Sequence, residues 1–216
     1  MAVAEPAHDC PRCPRLAGFR QDQRKAHPEW FNGPVPCFGV SDARLLIVGL
    51  APGLQGANRT GRPFTGDHAG ELLYRTLVDF GFAAGRYAAD PGDGLRLREA
   101  MIVNAVRCVP PQNKPLPAEI KACNGFLRER IVSMEGLAAI VALGRVAHDA
   151  VLTAMDQRKS AFAFAHGAEH AVAGIRLFDS YHCSRYNTNT GVLTPEMFRT
   201  VFGRVKAFLD ARLPGT

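Results

Sequence analysis

Several things are missing from this 216-residue chain, and each absence removes a class of protein. No apolar run approaches the roughly 20 residues that cross a bilayer, which excludes a helical membrane span. The opening residues, MAVAEPAHDC, lack the basic-then-apolar order of a secretory leader. The expected compartment is therefore the cytosol. No repeat, low-complexity tract or Gly/Ser linker interrupts the sequence, so a single domain over residues 1–216 is expected. Only 21% of residues are charged while 47% are apolar, which excludes a disordered chain and supplies a core that needs no disulfides. Neither a GxSxG elbow nor a P-loop occurs, so a small-molecule α/β hydrolase or transferase with a zinc site ranks last among the readings.

What is present is a modest positive balance, +6, and six cysteines. In a reducing compartment cysteines serve as metal ligands, nucleophiles or core fillers rather than disulfides. The charge permits a polyanionic partner without requiring one.

Short apolar runs alternate with helical spacing from residue 44 onward. Arg44–Leu50 (RLLIVGL), Ala100–Val106 (AMIVNAV) and Leu137–Leu143 (LAAIVAL) read as strands buried on both faces. Ala171–Asp179 reads as a fourth. Between them, Asp67–Phe80 carries helix-spaced Leu72, Leu73, Leu77 and Phe80, closed by Gly81. Pro117 opens a helix to about Met134, Gly144–Met155 forms another, and Pro195–Leu213 a terminal one. The alternation predicts an α/β fold, three-layer α/β/α around a mainly parallel four-stranded sheet. Ligands then collect beyond the carboxyl ends of the strands. Gly49–Asp67, Asn104 and Ser180–Asn187 occupy those positions.

Four cysteines have ligand-like spacing. Cys10 and Cys13 form a CPRC pair, whose two-residue gap lets both thiolates face one metal, and Cys108 and Cys123 lie far downstream. Zinc and an iron–sulfur cluster both accept four thiolates. The long gap between Cys108 and Cys123 suits the larger cluster better than zinc. The same spacing also arises when Cys108 and Cys123 are core fillers. Cys37 reads as structural, and Cys183 lies inside a candidate site loop.

Three segments carry a resemblance: GLAPGLQGANRTGRPFTGD (Gly49–Asp67), NAVRCVPPQNKPLP (Asn104–Pro117) and SYHCSRYNTNTGVLT (Ser180–Thr194). With the four cysteines they resemble the uracil-DNA glycosylase superfamily, specifically its iron–sulfur type b, or family five. Leu50 stands where the related family four enzymes carry an acidic residue. The family's His-Pro-Ser is here His182-Cys183-Ser184, which removes the fixed φ of a proline from that loop.

The resemblance implies a structural [4Fe-4S] cluster on Cys10, Cys13, Cys108 and Cys123. It also implies excision of uracil, and of other deaminated or modified bases, from double-stranded DNA by a monomeric enzyme, with acceptance of single-stranded DNA left open. Such an enzyme flips the base, stacks it and reads its polar edge. Phe64 becomes the stacking platform, and Asn104 offers a donor and an acceptor to the base. Gly49, Leu50, Ala51 and Gly53 wall the base site, Gly53 leaving room for varied bases. His182 donates to the base oxygen where negative charge gathers. Asp67, Asn58 and Asn187 are the candidates for handling water, Asp67 being equally readable as a helix N-cap. Arg59, Arg62, Lys114, Ser184, Arg185 and Tyr186 are the expected DNA contacts, with Arg185 or Tyr186 filling the gap left by the flipped base. A cluster-bearing, non-catalytic nucleic-acid-binding protein on the same fold is the alternative, supported by the missing acid in GLAPG.

Overall fold

The computed structural model describes residues 5–212; Leu213, expected to end the terminal helix, lies outside them. Seven helices and eight strands follow in chain order: α1 (Pro14–Ala26), β1 (Phe38–Gly39), β2 (Leu45–Gly49), α2 (Ala57–Thr60), α3 (His68–Asp79), β3 (Ala83–Ala84), β4 (Arg96–Leu97), β5 (Ala100–Asn104), α4 (Pro117–Ser133), β6 (Ala139–Leu143), α5 (Arg145–Ala154), β7 (Glu169–Val172), β8 (Ile175–Ser180), α6 (Arg185–Asn189) and α7 (Pro195–Asp210). Among these residues no helix is long and apolar enough to cross a membrane.

The central sheet has the order β1-β5-β2-β6-β8-β7. Its four inner strands, β5, β2, β6 and β8, are parallel, and the short outer strands β1 and β7 run antiparallel. The sheet thus has six strands rather than four. Much of the difference comes from the last expected strand, Ala171–Asp179, which is a hairpin. Ala173 and Gly174 both take positive φ (46° and 85°), the requirement of a type I′ turn. The chain reverses there between Val172 and Ile175.

Side chains alternate across the pleat into two apolar layers. Leu45, Ile47, Ile102, Val141 and Phe178 pack under α3 and α7. Leu46, Val48, Val103, Ile140 and Leu177 pack under α4 and α5. Every residue of β2, β5 and β6 is buried, as a sheet covered on both faces demands. Asp67 caps α3, its carboxylate accepting from the Gly70 N–H at 3.3 Å. Pro117 and Pro195 open α4 and α7 at positions whose N–H would be unpaired.

Helix α1 has weak amphipathic spacing and buries only Leu16 and Arg20. It is held by polar contacts. Arg15 grips the Glu119 carboxylate with two hydrogen bonds of 2.7 and 2.8 Å.

Candidate active site

The strand ends converge as the topology requires. A cleft of about 710 Å³ opens over β2 and β8, walled by Leu50, Ala51 and Gly53 from one side and His182, Ser184 and Tyr186 from the other. At its floor a small chamber is lined by Ala51, Gly53, Phe64, Asp67, Asn104 and His182. Six residues from three separate segments therefore meet at one spot, as expected from their positions in the sequence.

Phe64 is buried in a left-handed conformation, φ 53°, which a bulky side chain adopts only when its surroundings enforce it. The enforcement is visible. Tyr74 Oη donates to the Pro63 carbonyl at 2.6 Å, and Tyr87 Oη to the Phe64 carbonyl at 3.1 Å. Gly70 is bare because a Cβ there would collide with the Phe64 carbonyl. The Phe64 ring lies 5.9 Å from that of His182, with planes 27° apart.

Asn104 ends β5 and is buried, with its Oδ1 lacking any partner. A buried acceptor left unpaired costs about 1–3 kcal/mol, so this atom marks a place for a donor from outside the chain. Gly49, opposite Asn104 in the parallel register, gives that amide and Phe64 their closeness. A Cβ on Gly49 would come within 2.6 Å of the Phe64 ring and closer still to Asn104 Oδ1.

His182 is half-buried, and burial pulls its imidazole down to about 4, so the ring is neutral near pH 7. Its loop is tied by Asn187, whose Nδ2 donates to the His182 carbonyl at 2.8 Å. Burial raises the Asp67 carboxyl above its usual value, against the hydrogen bonds at the helix start. The capping and cleft roles coexist in Asp67. Oδ1 caps α3, while Oδ2 faces Gly53 and Gly56, where added Cβ atoms would sit 3.1 and 2.5 Å away. An acid thus faces the GLAPG loop from outside it.

Three expected roles are corrected. Asn58 is fully buried off the cleft, with Nδ2 donating to Asn32 Oδ1 at 2.9 Å, and cannot meet a water there. Asn187 is spent on the His182 loop. Arg62 is no phosphate contact: it is buried and pairs bidentately with Asp93, both bonds 2.8 Å. The pair holds the Asp93 carboxyl well below its usual range, and Asp93 also accepts from the N–H groups of Ala88 and Leu95. Arg62 thereby anchors the turn that carries Phe64. Arg59, Lys114 and Arg185 are exposed near the cleft. Ser184 caps α6, accepting from the Asn187 N–H, and Tyr186 is 74% exposed.

Sequence reasoning passed over Gln55, His68 and Asn113 in the cleft wall. His68 Nε2 lies 3.0 Å from Thr188 Oγ1, joining the start of α3 to α6. Gln55 and Asn113 stand inside the quoted segments, and polar residues beyond strand ends were the available signal.

Cys10, Cys13, Cys108 and Cys123 line one small cavity between α1, α4 and the loop after β5. Arg20 enters it, donating from Nη1 to Cys108 Sγ at 3.0 Å. Arg20 is buried, its Nε is unpartnered, and among the described residues no carboxylate pairs with it. A buried guanidinium requires an anion, and four ionised thiolates around a metal group supply one. Burial raises the thiols of Cys13 and Cys108, and Cys123 up to about 12, with Arg20 pulling Cys13 and Cys108 back. The donor set fits a thiolate-bound metal group. The four zinc-bound sulfurs of a tetrahedral site lie roughly 3.8 Å apart, from bonds of about 2.3 Å. Among the described residues, the only group of three or more ligand-type atoms within 4.8 Å of one another contains no cysteine.

The sequence model of the uracil DNA glycosylase superfamily matches residues 36–206. The chain is 45% identical over 204 residues to the type-5 uracil-DNA glycosylase of Thermus thermophilus, covering 91% of this chain and 92% of that one. It is 39% identical over 203 residues to the type-5 uracil-DNA glycosylase of Pyrobaculum aerophilum, covering 92% and 88%. The type-4 uracil-DNA glycosylase of Sulfurisphaera tokodaii is 29% identical over 206 residues, covering 92% and 81%. With the strand-end chamber and these matches along nearly its whole length, the chain belongs to the uracil DNA glycosylase superfamily, alongside its type-5 members.

Proposed function

We propose that the chain removes uracil from DNA by hydrolysing the N-glycosidic bond, and that the chamber under the cleft receives the flipped base. The observation that carries this reading is the unpartnered Asn104 Oδ1 beside the Phe64 ring and a neutral His182. Uracil presents an N–H donor flanked by two carbonyl acceptors. Asn104 matches one donor and one acceptor of that edge, and Phe64 stacks the ring.

As the C1′–N1 bond breaks, its electron pair goes to the base and positive charge develops on the sugar. His182 gives its single N–H to the base carbonyl oxygen, where the negative charge gathers. Asp67 Oδ2 holds a water against the sugar and takes its proton as oxygen bonds to C1′; that proton is then given up through solvent to the uracil anion, leaving free uracil, an abasic site and an ionised Asp67. Burial keeps Asp67 a stronger base than a surface carboxylate, which supports this role. Asn187 and Arg62 are positioning residues for His182 and Phe64. The apolar wall of Leu50, Ala51 and Gly53 supplies no side chain that would reject a substituent, which supports acceptance of other deaminated bases.

Cys10, Cys13, Cys108 and Cys123 would hold a [4Fe-4S] cluster whose contribution is structural. Phosphates meet Arg59, Lys114 and Arg185, and exposed Tyr186 or Arg185 fills the vacated stack. One chain supplies every group used, which supports a monomer; its substrate is duplex or single-stranded DNA in the cytosol or nucleoid. The Arg15–Glu119 and Arg20–Cys108 contacts support counting the N-terminal segment as part of the same single domain.

The test is a labelled duplex bearing one uracil, incubated with the protein and then treated with alkali. Strand breakage at the uracil is expected; none at any salt concentration overturns the reading. His182→Ala and Asn104→Ala should each lower the rate by orders of magnitude, and an unchanged rate removes the assigned role.

A further inference from the structure

One buried polar cluster serves neither the cleft nor the cysteine cavity. His148 on α5, His170 on β7 and Asp179 on β8 bring their ligand-type atoms within 4.8 Å of one another. We propose that these three residues form a binding site for a divalent transition cation of the zinc class, separate from the cysteine cavity and independent of the glycosylase reading.

Strand register creates the convergence. His170 lies opposite Leu177, and Asp179 stands two residues beyond Leu177 on the same face. That face packs against α5, where Leu177 joins the apolar layer and Asp179 puts a carboxylate. His148 Nδ1 is 2.8 Å from Asp179 Oδ1, and His170 Nε2 is 3.2 Å from Oδ2. His148 Nε2 is 3.0 Å from the Phe162 carbonyl. A carbonyl and a carboxylate only accept, so without a cation Nε2 carries a proton toward Phe162 and Nδ1 one toward Asp179; a cation displacing the second leaves a neutral ring with Nδ1 as ligand. A remote N–H held by a backbone carbonyl is the usual outer-shell arrangement of a metal-bound histidine.

Two imidazoles and one carboxylate suit zinc and its neighbours better than magnesium or calcium, which favour oxygen alone. Three protein ligands leave a fourth position for solvent. His148 and Asp179 are sealed from solvent, whereas the His170 side chain is 15% exposed and lies on an edge strand, which provides an entry route. Phe164 and Phe162 set ring edges against the two imidazoles at 5.6 and 5.7 Å, shielding the site. Without a cation, protons on His148 Nδ1 and His170 Nε2 bridge to the carboxylate; a cation takes their place and releases them. Asp179 precedes His182 by three residues, so an occupied site would brace the strand end that presents the His182 loop.

The test uses the purified chain with its iron retained. It is equilibrated with zinc chloride, freed of loose ions, and analysed for zinc and iron together. One retained zinc with unchanged iron is expected, and calorimetry in buffers of different ionisation enthalpy should show protons released. His170→Gln leaves the buried His148–Asp179 pair intact, and Asp179→Asn keeps the shape of the core. Each should weaken zinc binding about 100-fold or more while iron stays constant. No zinc retained by the unaltered chain, equal affinity in both variants, or zinc gained only as iron is lost overturns the proposal.

Discussion

Replacing Gly49 with alanine inserts one methyl group at the closest approach of the base-facing side chains. The new Cβ would stand 2.6 and 2.8 Å from two Phe64 ring carbons, and nearer still to Asn104 Oδ1, well inside ordinary contact. Strand β2 cannot retreat. It is hydrogen-bonded to β5 on one side and β6 on the other, and the Gly49 carbonyl accepts from the Ala105 N–H at 2.9 Å. Phe64 and Asn104 must therefore move, although the turn carrying Phe64 is fixed by Arg62, Tyr74 and Tyr87. Overpacking of this kind costs about 1–3 kcal/mol. If that cost falls on the complex with the flipped base, kcat/KM drops about 5- to 150-fold, at 1.36 kcal/mol per tenfold. Single-turnover cleavage of a uracil duplex measures it, and a thermal melt in parallel reports the share borne by stability, about 2–4 °C per kcal/mol. A rate within twofold of the unaltered chain, with Asn104 still required, would refute the placement of the base between these side chains.

Other outcomes follow from the same geometry. With His182 near 4, its neutral form exceeds the imidazolium about a thousandfold at pH 7. The rate should not rise as pH falls from 7.5, and should drop in acid as Asp67 and His182 gain protons; a rise below pH 7 contradicts a neutral donor. Arg62→Ala should cost about 3–5 kcal/mol in urea unfolding, because it strands buried Asp93, while the salt dependence of DNA binding is unchanged. A changed salt slope with intact stability would return Arg62 to the DNA surface. Alanine at Arg59, Lys114 or Arg185 should each lower the slope of log K against log salt by about 1 in a binding titration. Cys108→Ala should lose iron and the absorption near about 400 nm expected of thiolate-bound iron; full iron content would remove Cys108 from the ligand set.

Much of the fold was legible because buried parallel strands write themselves as unbroken apolar runs, as in Leu45–Gly49 and Ala139–Leu143. The β7–β8 hairpin was not, since its turn is a lone Ala-Gly pair with none of the usual Asn-Gly signal. Helix α1 was equally hidden, because Arg15 and Arg20 hold it by polar contacts that no hydrophobic period reports. At the site, topology was enough to bring the segments after β2, β5 and β8 to one cleft, although it assigns no roles there. Arg62 and Asn58 misled because an arginine or asparagine in a loop looks the same in sequence whether it faces solvent or a buried partner. Asp93, 31 residues away, decides the case of Arg62.

The two outer strands have a consequence of their own. A sheet ending on β5 and β8 would leave ladders of five and six residues open to any passing strand. Here the margins shrink to the two residues of β1 and the four of β7, and β7 begins with Glu169, whose carboxylate lies between Arg176 and Arg204 at 3.7 Å each. Short, charged rims give another chain little to pair with. The inner parallel strands pair only with segments distant in sequence, so their edges stay open until those segments arrive. Once β1 and β7 have docked, that sheet is closed to edge-on aggregation, even where many copies crowd along the same polyanion.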